Sequence, residues 1–165
     1  MNTEINIQPF NQSDWPDIAR IYKEGIETGM ATFETSIPTW RAWDNIHTKP
    51  CRLKAVLNAE IVGWAALGPV STRDVYRGVA EVSIYITSKY RNLGIGKLLL
   101  EELIEVSEKE GFWTLQAGIF SNNIASIRLH TSLGFRIIGY REKVGKLNQT
   151  WYDNTVLERR SKKII

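Results

Sequence analysis

Three short stretches of the chain carry residues whose types and spacing can do chemistry. RNLGIGK, residues 91–97, sets two glycines and two cations between an alternating run, AEVSIYIT, and an apolar-periodic one, LLLEELIEV. Glycines at such a strand-to-helix turn let successive backbone N–H groups face one concavity. A helix N-terminus adds partial positive charge, and the combination suits phosphate. The plainer reading is that Gly94 and Gly96 only shape a tight turn. Within AEVSIYIT, Glu81 is a carboxylate beside apolar strand positions, where its pKa can rise toward that of a general base. Its plainer reading is a solvated strand residue, or an ion-pair partner for Arg73 or Arg77. His130 lies seven residues beyond Asn123, so the two share one helical stripe about 10 Å apart along the axis. Both can contact one extended ligand, although a lone helix histidine is more often structural.

Two familiar nucleotide loops do not fit the glycines. A P-loop, GxxxxGK[ST], needs glycine at 91 and a hydroxyl at 98, where Arg91 and Leu98 stand. A dinucleotide-binding GxGxxG needs glycine at 99, where Leu99 stands, and no parallel dinucleotide-binding unit opens the chain.

The surrounding pattern predicts the elements that hold these residues. Glu4–Pro9 reads as a strand, followed by a helix capped by Ser13 or Asp14 with Pro16 in its first turn. Ile18, Ile21, Tyr22, Gly25 and Ile26 give that helix one buried face, and Gly29 marks its end. MATFETSIP leads irregularly to a short helix over Thr39–His47. Arg52–Leu57 and Ile61–Leu67 form a hairpin, and Val79–Thr87 is a strand with two unlike faces. The helix after RNLGIGK points Ile95, Leu98, Leu99, Leu103 and Val106 inward and stops at Gly111. Phe112–Phe120 is a strand, Asn123–Leu133 a helix closed by Gly134, and Phe135–Val144 pairs with Thr150–Glu158. This order, without repeat or compositional break, predicts a single α/β domain over residues 1–165, its core at about 5–160, built on a mixed sheet.

Composition removes other classes. The net charge of +3, from 21 basic and 18 acidic residues, is slight and partly lies in the tail Arg159–Lys163, read as a solvated terminus. It suits a small anionic ligand and does not call for nucleic acid. The six tryptophans are scattered and not interleaved with a basic cluster, so base stacking is rejected. Cys51 is alone, which excludes an intrachain disulfide and suits a reducing cytoplasm. The first ten residues lack a basic then apolar leader pattern, and IVGWAALGPV is too short to span a bilayer, so neither export nor a membrane is expected. No metal-ligand cluster is visible in the sequence.

R-x-x-G-x-G-K, opened by an alternating strand and followed by a long amphipathic helix, resembles the GNAT superfamily of acyl-CoA-dependent N-acetyltransferases. The segment from Asn123 through Ala125, Leu129 and His130 to Leu133, Gly134 and Phe135 is similar to that family's later N-x-x-A-x-x-L-Y-x-x-L-G-F pattern, at the right separation. His130 departs from it, standing where many members carry the tyrosine that protonates the leaving thiolate. With GIETGMATFET, AEVSIYI and a closing WYD, the chain resembles the phosphinothricin and methionine sulfoximine acetyltransferase subgroup over about residues 5–160.

That resemblance implies a single-domain GNAT-type α/β fold, a mixed, mostly antiparallel sheet flanked by helices. It implies acetyl-CoA as co-substrate, no metal, and a small amino-acid-like acceptor acetylated directly in a ternary complex. Its residues carry over as follows: Glu81 as base and His130 as proton shuttle, in a direction the sequence leaves open. The backbone of Ile84, Tyr85 and Ile86 pairs with the pantetheine arm, and Asn92, Leu93, Gly94, Ile95, Gly96 and Lys97 hold the pyrophosphate. Asn123 and Ser126 contact the coenzyme further along. Phe33 walls the acceptor, and Arg73 and Arg77 clamp its carboxylate, since guanidinium donors match carboxylate geometry. A homodimer is implied, with Val144–Trp151 reaching toward the partner's cleft. Two alternatives stay open: another amine (a polyamine, aminoglycoside or peptide N-terminus), or an idle acyl-CoA-binding module.

Overall fold

The computed structural model describes residues 4–165. Strand β1 (Asn6–Pro9) leads through a 3₁₀ turn at Gln12–Asp14 into α1 (Trp15–Glu27). The capping side chain is Asn11, not Ser13 or Asp14: its Oδ1 accepts from the Ser13 N–H, and Asp14 accepts from the Asn11 N–H. The added 3₁₀ turn moves the cap upstream, and the other Asp14 oxygen pairs with Lys54 at 2.8 Å. Gly29, at φ +66°, then ends α1 in the left-handed conformation that glycine adopts without strain.

Helix α2 (Trp40–Ile46) is capped by Thr39, and the hairpin of β2 (Leu53–Leu57) and β3 (Glu60–Pro69) turns at Asn58 and Ala59, both at positive φ. There follow β4 (Val79–Ile86), α3 (Ile95–Lys109), β5 (Thr114–Phe120), α4 (Ile124–Ser132), β6 (Arg136–Leu147) and β7 (Thr150–Arg160). The seven strands form one sheet in the order β1-β2-β3-β4-β5-β7-β6. Every neighbouring pair is antiparallel except β4 with β5. The expected mixed, mostly antiparallel sheet is what forms.

Each face of the sheet has its own core. On one, Ile95, Leu99, Leu100, Leu103 and Ile104 of α3 pack against Ala65, Leu67, Val82 and Leu115. On the other, Ile18 and Ile21 of α1 meet Phe10, Trp43 and Trp64. Leu98, expected inward, is 40% exposed, because the buried stripe of α3 centres on Leu99, Leu100 and Leu103. Five such burials at about 1.5–3 kcal/mol each outweigh the helix's Lys97–Glu101 pair, worth about 0.2–0.5 kcal/mol, in holding α3 to the sheet.

The basic tail is not a loose solvated end. Glu108, nearly buried, accepts from Arg159 at 3.0 Å and Ser161 at 2.9 Å and pairs with Lys163 at 3.0 Å. Among the described residues no helix is long and apolar enough to cross a membrane, and no three His, Cys, Asp or Glu side chains gather as metal ligands.

Candidate active site

The site begins where two strands part. At their base β4 and β5 are held together: the Gly78 carbonyl accepts from the N–H groups of Trp113 at 2.8 Å and Thr114 at 3.1 Å. The Trp113 ring lies where a Cβ on Gly78 would stand, 2.1 Å away, so glycine is required there. Parallel pairing then runs only from Val79↔Thr114 to Glu81↔Gln116. Beyond it β4 stays paired with β3 through Ile86, while β5 follows β7 to Phe120. The β5-facing edge of residues 82–86 is therefore left without a strand partner, and a cleft of about 460 Å³ opens beside it.

Glu81, the last β4 residue paired with β5, lines this cleft. Glu81 is exposed into the cleft, but partial desolvation by the cleft walls pushes its carboxyl above its ordinary value, and the positive charge of Arg141 partly offsets the rise. His130 of α4 lines the cleft too and is itself buried, at 2% exposure. Its Nδ1 lies 2.8 Å from the Ser126 carbonyl oxygen, which can only accept, so Nδ1 carries the proton and Nε2 keeps its lone pair. Burial also holds the His130 pKa below the ordinary histidine value, despite that hydrogen bond. The imidazole is thus a neutral proton acceptor.

The turn read as anion-binding leads from β4 into α3. Asn92 and Gly94 sit at φ +64° and +79°, and Gly94 begins α3 without any side-chain cap. Gly96 serves packing: a Cβ there would stand 3.2 Å from Leu129, so its absence lets α3 and α4 approach. Lys97 is exposed and pairs with Glu101 at 3.8 Å. Asn123 caps α4 through the Ser126 N–H at 3.2 Å and donates to the Met30 carbonyl at 3.3 Å, tying α4 to the Met30–Glu34 loop. Ile84 and Tyr85 line the cleft, whereas Ile86 faces the core near α3. The Tyr85 ring occupies the space a Cβ on Gly25 would need, 2.5 Å away, and stacks on Trp64 at 4.9 Å.

Phe33 stands in the cleft wall, 4.5 Å from the Phe120 ring and against the bare backbone of Gly145. Arg73 and Arg77 do not join it. Arg73 lies over Tyr76, Arg77 pairs with Asp74 at 3.1 Å and lies over Trp113, and neither lines the cleft. The cleft carries a different guanidinium, that of Arg141.

With this geometry in hand, comparison with known proteins gives one family. The model of the acetyltransferase (GNAT) domain matches residues 7–156. The chain belongs to the GNAT acetyltransferases. It is 30% identical over 159 residues to the L-methionine sulfoximine/L-methionine sulfone acetyltransferase of Pseudomonas paraeruginosa, covering 93% of this chain and 92% of that one. The crystal structure of a GNAT superfamily phosphinothricin acetyltransferase from Sinorhizobium meliloti, in complex with acetyl-CoA, superposes with a TM-score of 0.86 at 28% identity, over 94% and 88% of the two chains. A ribosomal-protein-alanine N-acetyltransferase structure from Brucella melitensis gives 0.85 at 30% identity, over 94% and 99%.

Within this GNAT fold, Arg141, Gln116, Gly118 and Asn154 complete the cleft lining and were not singled out from the sequence. No local motif marks them; only strand register does. Gln116 lies opposite Glu81, Phe120 opposite Asn154, and Asn154 opposite Arg141, so all project from one face of the sheet. Cys51 takes no part: it is buried outside the cleft, with its thiol pushed up to about 12 by burial.

Proposed function

We propose that the protein is an acetyl-CoA-dependent N-acetyltransferase for the α-amino group of small amino-acid analogues of the methionine sulfoximine or phosphinothricin type. The observation that carries this reading is one cleft holding a partly desolvated carboxylate, Glu81, and a neutral imidazole, His130, beside an unpaired strand edge and the uncapped start of α3. The strand edge at Ile84–Ile86 offers backbone partners to a pantetheine amide. The turn Asn92–Lys97 offers N–H groups to pyrophosphate, with Asn123 and Ser126 alongside.

Glu81 takes one proton from the substrate ammonium, which is otherwise largely charged near neutrality. The amine then attacks the thioester carbonyl carbon, and the C–S bond breaks as the tetrahedral adduct collapses. His130 accepts the remaining proton at Nε2 and passes it to the departing sulfur. No acyl-enzyme forms, in keeping with the inert Cys51.

A second copy is proposed to cover the sheet's open edge. β6 is a twelve-residue edge strand that, with β7, exposes Ile137, Ile138, Tyr140, Val144 and Trp151. A reducing cytoplasm is the proposed setting, and the unpaired Cys51 supports it. Release of coenzyme A thiol across an acceptor panel tests the function. Methionine sulfoximine and phosphinothricin are expected to turn over well above spermidine, an aminoglycoside and an alanine-initiated peptide. Preference for the peptide, the acceptor class of the Brucella relative, would replace this reading.

A further inference from the structure

Arg141 is the one permanent cation among the residues lining the cleft; the other charged or titratable side chains there, Glu34, Glu81, His47, His130, Tyr22 and Tyr85, are acids, phenols or imidazoles. Its guanidinium has neither a hydrogen bond nor an ion pair with any described residue, Glu81 included. Exposed at the cleft and bound to no acceptor among the described residues, its five donors are free to meet a ligand there.

The local backbone is built to present it. Between Arg141 and Gly145 the β6–β7 register slips, and Asp153 holds the bulge by accepting from the Lys143 N–H at 2.6 Å and from the Tyr140 hydroxyl. A bulge of this kind re-aims the side chains beside it. Directly across, Asn154 ends in a buried side-chain oxygen with no donor among the described residues, a second polar atom without a partner in the same lining. Between them and Glu81 lies Gly118. A Cβ there would meet Asn154 at an ordinary 3.5 Å and φ is not positive, so neither packing nor backbone demands glycine. What its lack of a side chain provides is room on the floor of the cleft.

We infer that Arg141 is the specificity-determining residue for the acceptor's carboxylate, gripping it over the floor left open by Gly118 while the amine faces Glu81. Arg73 and Arg77 are thereby relieved of that role. The assignment rests on the reading of the cleft as an amino-acid acetyltransferase site.

Methionine sulfoximine isolates the contact, since its carboxylate is its one anionic group; its carboxamide is the matched neutral acceptor. In wild-type enzyme kcat/KM is expected to favour the acid. Arg141→Gln is expected to raise KM for the acid about tenfold or more and to collapse the acid-over-amide preference, with KM for acetyl-CoA showing that the fold and coenzyme site are intact. Arg141→Lys, which keeps charge without the fork, is expected to restore part of the preference. An equal loss on acid and amide, or no loss on either, overturns the assignment while leaving the acetyltransferase reading in place. Failure of the wild type to acetylate any amino acid, with turnover of other amines, overturns both.

Discussion

Under the proposed function, the two ends of the cleft would recognise their ligands by different means. At the coenzyme end the groups on offer are main-chain ones: the free edge of β4 and the uncapped first turn of α3. At the acceptor end they are side chains brought from separate elements, Phe33 from a loop, Glu81 from β4, Arg141 from β6 and Asn154 from β7. A backbone site tolerates many side chains provided the φ values are kept, whereas a side-chain site changes with each substitution. On this reading the coenzyme end would stay constant while the acceptor end sets which amine is used.

The sharpest break between the ends should come from Glu81→Gln. It keeps shape and removes the base, so kcat at neutral pH is expected to fall on the order of a hundred- to ten-thousandfold while KM for acetyl-CoA holds. The pH dependence follows the same division. Glu81 acts unprotonated and its pKa is raised, so kcat/KM for the acceptor should fall with acidification in a limb lying above the ordinary carboxylate value of about 4.3. His130 also acts unprotonated, and burial lowers its pKa, so it takes up a proton only at lower pH than an ordinary histidine. Arg141→Gln removes a charge that favours the Glu81 carboxylate, so the limb should move to higher pH. Steady-state profiles from pH 4.5 to 8 check both statements; a limb that stays in place would separate Arg141 from Glu81.

A pair of glycines tests the division in both directions. A methyl on Gly145 would lie 2.3 Å from the Phe33 ring, forcing that wall of the acceptor site to move. A methyl on Gly94 meets nothing within 4 Å, but its φ of +79° is costly for an L residue, about 1–2 kcal/mol. Gly145→Ala is expected to raise the acceptor KM by about tenfold and leave the coenzyme KM near its starting value. Gly94→Ala should do the reverse, by a few fold, with a drop in Tm. If either substitution shifts both constants equally, the two ends are not independent.

The same difference explains what could be read in advance. RNLGIGK and the Asn123–Phe135 segment are contiguous, because a backbone site is made by neighbours in the chain, so the stretches proposed to hold the coenzyme are ones a sequence can mark by itself. Glu81 and Phe33 were singled out through the resemblance of AEVSIYI and GIETGMATFET to the acetyltransferase subgroup, and both line the cleft. Arg141 was not: its place depends on a bulge between β6 and β7 and on register through β5, which are long-range facts. Arg73 and Arg77 were misplaced for the converse reason. They are close to Glu81 in sequence, but the 3₁₀ turn at Asp74–Tyr76 leaves them against Tyr76, Asp74 and Trp113. Leu98 and the Asn11 cap were errors of a single turn, within the usual uncertainty of helix ends and faces.

The smallest effect should come from the one side chain at the coenzyme end that looks important in the sequence. Lys97 follows the glycines of the turn, yet it is exposed and shares its charge with Glu101 at 3.8 Å. If main-chain N–H groups do most of the holding, Lys97→Ala removes only a screened surface charge. KM for acetyl-CoA should then rise about two- to threefold at low ionic strength, and the rise should shrink toward nothing at about 1 M salt, where the screening length is roughly 3 Å. Stability should change by less than about 0.5 kcal/mol, the worth of an exposed i,i+4 pair. A salt-insensitive loss of tenfold or more would mean that Lys97 grips the pyrophosphate directly. The coenzyme end would then be a side-chain site like the other, and the contrast between the two would fail.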